Sequence, residues 1–188
     1  MPMMRCIRVT SFVAIVCASG IVHADSWVPP SVQVVASESG ERLVRVEPGR
    51  RGQEGARALV YRYDADAERY AQSMAFTLLH TVAPVDLLLA DDGTLVTLDE
   101  WAQVGKGEVL VVHDVDGKVA HRYTLEQLLG AKAVAAPSTV SSTWWRCGKP
   151  ALIAGGHVLH VITYDNGELR LDLKTGQVRH EPGTGQCQ

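Results

Sequence analysis

The chain is 188 residues long, 46% hydrophobic and only 6% aromatic, with 21 acidic against 18 basic side chains and a net charge of −3. A mild acidic excess with no basic run excludes the electrostatic footprint of a nucleic-acid or anionic-membrane binder. The length suits a single domain with a substantial core.

Arg5 and Arg8 open the chain, the apolar stretch Val9 to Ser19 follows, and Val22-His23-Ala24 closes it with small or β-branched residues at the two positions a signal peptidase reads. That order is a cleavable secretory signal over residues 1–24, and the apolar run falls short of the ~20 residues of a bilayer span. Cys17 would be the acylation point of a lipoprotein, but Ala14-Ile15-Val16 lacks the small residue such processing needs just before it. Cleavage after Ala24 leaves residues 25–188 as one β-rich domain, periplasmic or secreted. The loss of two arginines takes the charge from −3 to −5. Only Cys147 and Cys187 remain, and two cysteines in an oxidising compartment are expected to pair. The bridge would close a loop of about 41 residues, worth roughly 4 kcal/mol in the chain-entropy model, and would pin the Gly-rich tail from Glu181 to Cys187.

Short β-branched runs alternate with turn signals along this remainder. Strands are expected at Ser31–Ala36, Arg42–Glu47, Asp86–Ala90, Thr94–Leu98, Glu108–His113, Lys118–Tyr123, His157–Tyr164, Glu168–Leu173 and Gln177–His180. Asp92-Gly93, Asp116-Gly117 and Asn166-Gly167, with Ser39-Gly40 and Thr175-Gly176, supply the positive φ that tight hairpin turns demand. Residues 65–76 are rich in helix formers, yet Leu59 to Tyr63 reads as a strand and Asp64 to Ala67 as a turn, so a fourth hairpin is preferred there. Asp86–Ala90 and Val109–Val112 are continuously apolar, as in strands covered on both faces. The one helix expected is Leu125–Leu129, with Thr124 and Gln127 forming a capping box and Gly130 ending it.

The strands group near 31–79, 86–123 and 144–180, each as a four-stranded antiparallel meander, and the turns at Gly40, Gly93 and Gly156 are 53 and 63 residues apart. Such repetition is the mark of propeller blades, and Leu171-Asp-Leu-Lys-Thr-Gly-Gln-Val178 resembles the end of blades that close on an Asp-x-x-Thr-Gly turn. Ala83-Pro-Val-Asp86, Asp91 to Trp101, Val111 to Lys118 and Ser141-Ser-Thr-Trp-Trp145 resemble exported bacterial proteins of unknown function with propeller-like repeats. This resemblance spans most of residues 26–178 and implies a fold, with no chemistry attached. A two-sheet sandwich or an open barrel is the alternative arrangement. Three blades leave open edges, a route to self-association, for instance as a six-bladed dimer.

No motif calls for a metal or cofactor. His157 and His160 are three apart on a strand and face opposite ways; His121 is expected opposite Val112, with His113 on the other face. Asp114, Asp116 and Gly117 hint at a calcium loop but lack its closing glutamate, so they read as a solvated turn. There is no G-x-S-x-G elbow and no Gly-rich loop opening a helix.

The candidate site is aromatic. Trp27, Trp101, Trp144 and Trp145 are the four tryptophans; Trp101 follows Asp99-Glu100, and Trp144-Trp145 follow the hydroxyl run Ser138 to Thr143. Adjacent strand residues face opposite ways, so at most one of Trp144 and Trp145 is expected in the core, leaving the other as a candidate platform for a glycan or peptide. The alternative packs both between the blades, their indole N–H groups meeting backbone carbonyls. The expected function is a non-enzymatic exported module binding a peptide, protein or glycan through Asp99, Trp101, Trp144 and Trp145. The alternative is an envelope hydrolase in which Asp99 meets a histidine only in three dimensions.

Overall fold

The computed structural model describes residues 27–50, 54–183 and 185–187; the signal over 1–24 lies outside them. The described chain forms three four-stranded antiparallel sheets, each a meander in chain order. The first holds β1 (Gln33–Ala36), β2 (Arg42–Glu47), β3 (Arg57–Asp64) and β4 (Arg69–Thr77). The second holds β5 (Pro84–Leu89), β6 (Leu95–Glu100), β7 (Glu108–His113) and β8 (Val119–Thr124). The third holds β9 (Arg146–Ile153), β10 (Val158–Thr163), β11 (Glu168–Asp172) and β12 (Val178–Glu181). Helix α1 (Leu125–Leu129) and a 3-10 turn, Gly130–Ala135, link the second sheet to the third.

The fold is all-β and blade-like. No hydrogen-bonded ladder crosses from one sheet to another among the described residues, so the strands form neither a barrel nor two sheets. The first strands of the meanders meet in order, β1 beside β5 and β5 beside β9, which puts the inner edges of three blades around one axis.

The second sheet is the middle layer, as its unbroken apolar runs predict. Leu87, Leu89 and Leu95 pack on Val44, Val46 and Val60 of the first sheet. Its other face, with Val96, Leu98, Leu110 and Val112, packs on Leu159, Val161, Leu169 and Leu171 of the third, joined by Leu125, Leu128 and Leu129 of α1. The strict alternation Glu168-Leu-Arg-Leu-Asp172 gives leucines that are fully buried and an Arg170 that is exposed.

The local expectations follow the turn chemistry. The segment once ambiguous is the β3–β4 hairpin, its turn tied by Asp64 Oδ1 accepting from the backbone of Asp66 and Ala67. Helix α1 has the expected reciprocal cap between Thr124 and Gln127. Val112 pairs with His121, so His113 turns to the first sheet and His121 to the third. Asp114 Oδ1 accepts from the backbone of Asp116 and Lys118, the geometry of an Asx turn. Strand β9 was implied by the repeat but not placed: between its pairs Cys147–Ile162 and Ala151–His160, three residues, Gly148, Lys149 and Pro150, face the single Val161. Cys147 and Cys187 form the expected disulfide, which fastens the tail beyond β12 to β9.

Candidate functional site

Strands of a meander alternate in direction, so each blade has an upper end, carrying its hairpin turns such as 37–41, 90–94 and 154–157, and a lower end carrying the longer loops. The candidate residues gather at the lower end. Asp99, next to last in β6, lies in the left-handed region, φ 56, a conformation that a short polar side chain tolerates better than most. The bend points its carboxylate into the gap toward the third sheet, where it is fully buried. There Oδ1 accepts from Trp145 Nε1 at 2.8 Å and from Gly105 N at 2.9 Å, and Oδ2 from Arg146 Nε at 2.9 Å. Arg146 also donates through Nη2 to Asp86 Oδ2 at 2.6 Å. Burial pushes the Asp99 carboxyl up, against the pull of Arg146 and the three hydrogen bonds. This is a lock between blades: both oxygens of Asp99 are occupied, and among the described residues no histidine hydrogen-bonds to it.

The tryptophans divide, although Trp144 and Trp145 both precede β9 and do not lie on a strand. Trp145 is fully buried in the gap, while Trp144 is 45% exposed. Trp144 stacks on Trp27, with ring centroids 6.5 Å apart and planes 8° from parallel. Trp101 meets Trp27 edge-on at 5.2 Å and donates from its indole nitrogen to the Val28 carbonyl. The hydroxyl run beside them folds into a small loop in which Thr139 N donates to the Ser142 carbonyl and Trp144 N to the Pro137 carbonyl. Trp101 and Trp144 thus share an indole cluster backed by Trp27, while Asp99 and Trp145 lie behind it in the lock. Glu100, between Asp99 and Trp101, accepts backbone hydrogen bonds from Thr81, Val82 and Ala83 and so fixes the neighbouring loop.

Sequence reasoning missed the roles of Arg146 and Asp86 and the histidine of the β4–β5 loop. His80, buried, shares a hydrogen bond between Nδ1 and the Thr97 hydroxyl at 3.0 Å. Burial lowers its pKa to about 4, with Glu100 pulling upward and His113 pushing down. His80 and Glu108 line a cavity of about 140 Å³, and His80 Nε2 and Glu108 Oε2 both lack a hydrogen-bond partner.

The upper end carries larger hollows. One of about 300 Å³ lies on the axis, against Val35, Leu87, Leu89 and Leu152. Another, of about 420 Å³, opens between the second and third sheets and is lined by Asp92, Asp114, His121, His157 and Lys174 over an apolar floor of Val112 and Leu173. His157 therefore faces this cleft, whereas His160 lies 3.4 Å from Glu168. Among the described residues no group of three or more His, Cys, Asp or Glu is arranged to hold a metal ion.

No family model and no curated protein matches the chain. Among solved structures it is similar to the periplasmic gluconolactonase of Pseudomonas aeruginosa, at 18% identity and a TM-score of 0.42, over 83% of this chain and 40% of that one. The chain therefore spans well under half the length of that protein, and the activity in its name stays with it.

Proposed function

We propose that the protein is an exported, non-enzymatic binding module whose indole cluster at the lower end captures a glycan. The observation that carries this reading is Trp144, an indole 45% open to solvent, set beside a hydroxyl-rich loop and held in place by a parallel partner ring. An indole face held this way suits the apolar CH face of a pyranose, with hydroxyls alongside for orientation. Asp99 and Trp145 serve the site from behind by fixing the two blades that carry it. Export is supported by the signal-like first 24 residues and by the Cys147–Cys187 bridge, a bond that persists in oxidising compartments. Alanine at Trp144 should abolish retention on immobilised chitin and β-glucan while the melting temperature stays within a few degrees of the parent. Retention equal to the parent, or a variant that no longer folds, assigns Trp144 a structural role; binding of a peptide or protein in its place moves the ligand class.

A hydrolase reading draws its support from the upper cleft, where carboxylates and imidazoles line one hollow. Turnover of chromogenic esters or glycosides that His157→Ala removes would favour it. Self-association belongs to the same proposal through β4, an outer strand uncharged from Tyr70 to Thr77. A mass that doubles with concentration, and stays single when Gln72→Lys charges that edge, would support it.

A further inference from the structure

The axial hollow at the upper end has a lining that sorts by chemistry. Its walls are Val35 and Ala36 from β1, Leu87 and Leu89 from β5 and Leu152 from β9, and its rim carries Glu38 and Asp91 with no basic residue among the lining side chains. Ser39 N donates to Asp91 Oδ1 at 2.9 Å, which fixes that carboxylate on the rim and holds it below the usual carboxylate range. The nearby Arg42 is committed through Nε to the Asp91 carbonyl at 2.9 Å. Gly156 lines both this hollow and the 420 Å³ cleft, so the two adjoin across a residue with no side chain. On the cleft side two further carboxylates follow: Asp92 and Asp114 each commit Oδ1 to their own turn.

A third feature selects the kind of ligand. Strands β1 and β9 end their sheets, each with a ladder on one side only, and Val34 on β1 is 63% exposed and Ile153 on β9 37%. Unpaired strand edges therefore border an apolar socket with an acidic rim. Unpaired edges offer backbone donors and acceptors to an extended chain, and a socket beside them selects a side chain.

We propose that the axial hollow and the adjoining cleft bind an extended peptide segment in which an aliphatic residue is followed by lysine or arginine. The aliphatic side chain fills the socket between Leu87, Leu89 and Leu152. The cation lies between Glu38 and Asp91 or reaches across Gly156 toward Asp92 and Asp114, and the peptide backbone pairs with the free edge of β1. This site is at the opposite end of the sheets from the indole cluster and does not rest on glycan capture.

Fluorescence anisotropy with the labelled peptide Gly-Leu-Lys-Leu-Arg-Gly and its counterpart Gly-Leu-Glu-Leu-Glu-Gly tests it on the full folded domain. Saturable binding of the basic peptide is expected, at least tenfold tighter than the acidic one and weakening as salt rises. Ala36→Phe, which fills the socket from an exposed strand position, should remove it, and the surface change Glu38→Lys should weaken it at least tenfold, both with circular dichroism and melting temperature unchanged. Equal binding of the two peptides, no saturation below millimolar concentration, or parent affinity in both folded variants would overturn the proposal.

Discussion

Between the first and second sheets the packing includes polar groups without partners, whereas the second and third are joined around a buried indole and a fully bonded carboxylate. Val44, Val46, Ala58 and Val60 meet Leu87, Leu89 and Leu95 across the first gap, which also holds Thr97 with His80 and His113, two imidazoles whose Nε2 atoms have no partner. The second gap holds Trp145, the strand leucines Leu98, Leu110, Leu159, Leu169 and Leu171 and three more leucines from α1, and the buried Asp99 tied to Trp145 and Arg146. An unsatisfied buried polar atom costs about 1–3 kcal/mol, while a buried charge surrounded by donors holds one geometry. The difference teaches that the molecule has a fixed half, carrying the indole cluster, and a first sheet that should open earlier in hydrogen exchange.

The largest expected effect breaks the fixed half. Trp145→Ala removes a fully buried ring and one of the donors to Asp99, at a cost of about 4 kcal/mol. Urea unfolding should show that loss, with the lower end losing its order of protection to the first sheet. A loss under about 1 kcal/mol would mean that the lock is not what holds the second gap. Replacing Cys147 and Cys187 by serine comes next. The bridge, spanning a sequence separation of 40, should contribute roughly 4 kcal/mol or less in the chain-entropy model. Urea midpoints with and without reductant measure it, and the loss should appear in β9 and the tail rather than in the first sheet.

How much of this was readable from the chain follows the range of each interaction. The hairpins were legible because turn chemistry is local: Gly40, Gly93, Gly117 and Gly176 all take positive φ at the turns they marked. The cap of α1 was legible for the same reason, since Thr124 and Gln127 are three residues apart. Strand β9 was hidden because Gly148 and Pro150 break its pattern, and it exists as an inner edge strand with a bulge that accommodates both. Strand alternation allowed a split between Trp144 and Trp145 but does not explain it, because both precede β9. The role of Asp99 was out of reach, since a carboxylate at a strand end looks solvated and its donors Trp145 and Arg146 lie 46 and 47 residues further on. His80 was invisible likewise, because only the closure of the first gap buries it.

That buried imidazole gives the comparison a pH axis. His80 titrates near 4 in the folded protein against 6.5 for an exposed histidine, so between those values the unfolded chain binds a proton that the folded one refuses. Stability is therefore full above about pH 6.5 and falls as pH drops toward 4, by about 3 kcal/mol at most. His113, also lowered by burial, acts in the same direction. His80→Gln should flatten the slope of unfolding free energy against pH across that window. The first sheet should lose exchange protection there before the third does. An unchanged slope in the variant would show that other groups govern acid lability.

The smallest expected effect compares the two gaps at matched turn tips. Gly117, at the β7–β8 turn, has φ 78, and a Cβ there would come within 2.6 Å of the Phe76 ring of the first sheet. Gly176, at the β11–β12 turn, has φ 71, and its Cβ would come within 2.6 Å of His121 and 2.9 Å of the Tyr123 hydroxyl. Alanine at either position meets the same left-handed strain, about 1 kcal/mol. What differs is the neighbour. Phe76 packs against the first-gap core and also contacts the His113 ring at 5.2 Å, so it must carry part of the first sheet with it when it moves. His121 can rotate away, although the added methyl also crowds the Tyr123 hydroxyl and its 2.7 Å hydrogen bond to the Gly176 carbonyl. Gly117→Ala should therefore shift the thermal midpoint by more than Gly176→Ala, and its excess should vanish in a Phe76→Ala background, where the obstructing ring is gone. Equal shifts that persist in that background would place the whole cost in backbone strain and none in the approach of one sheet to the next.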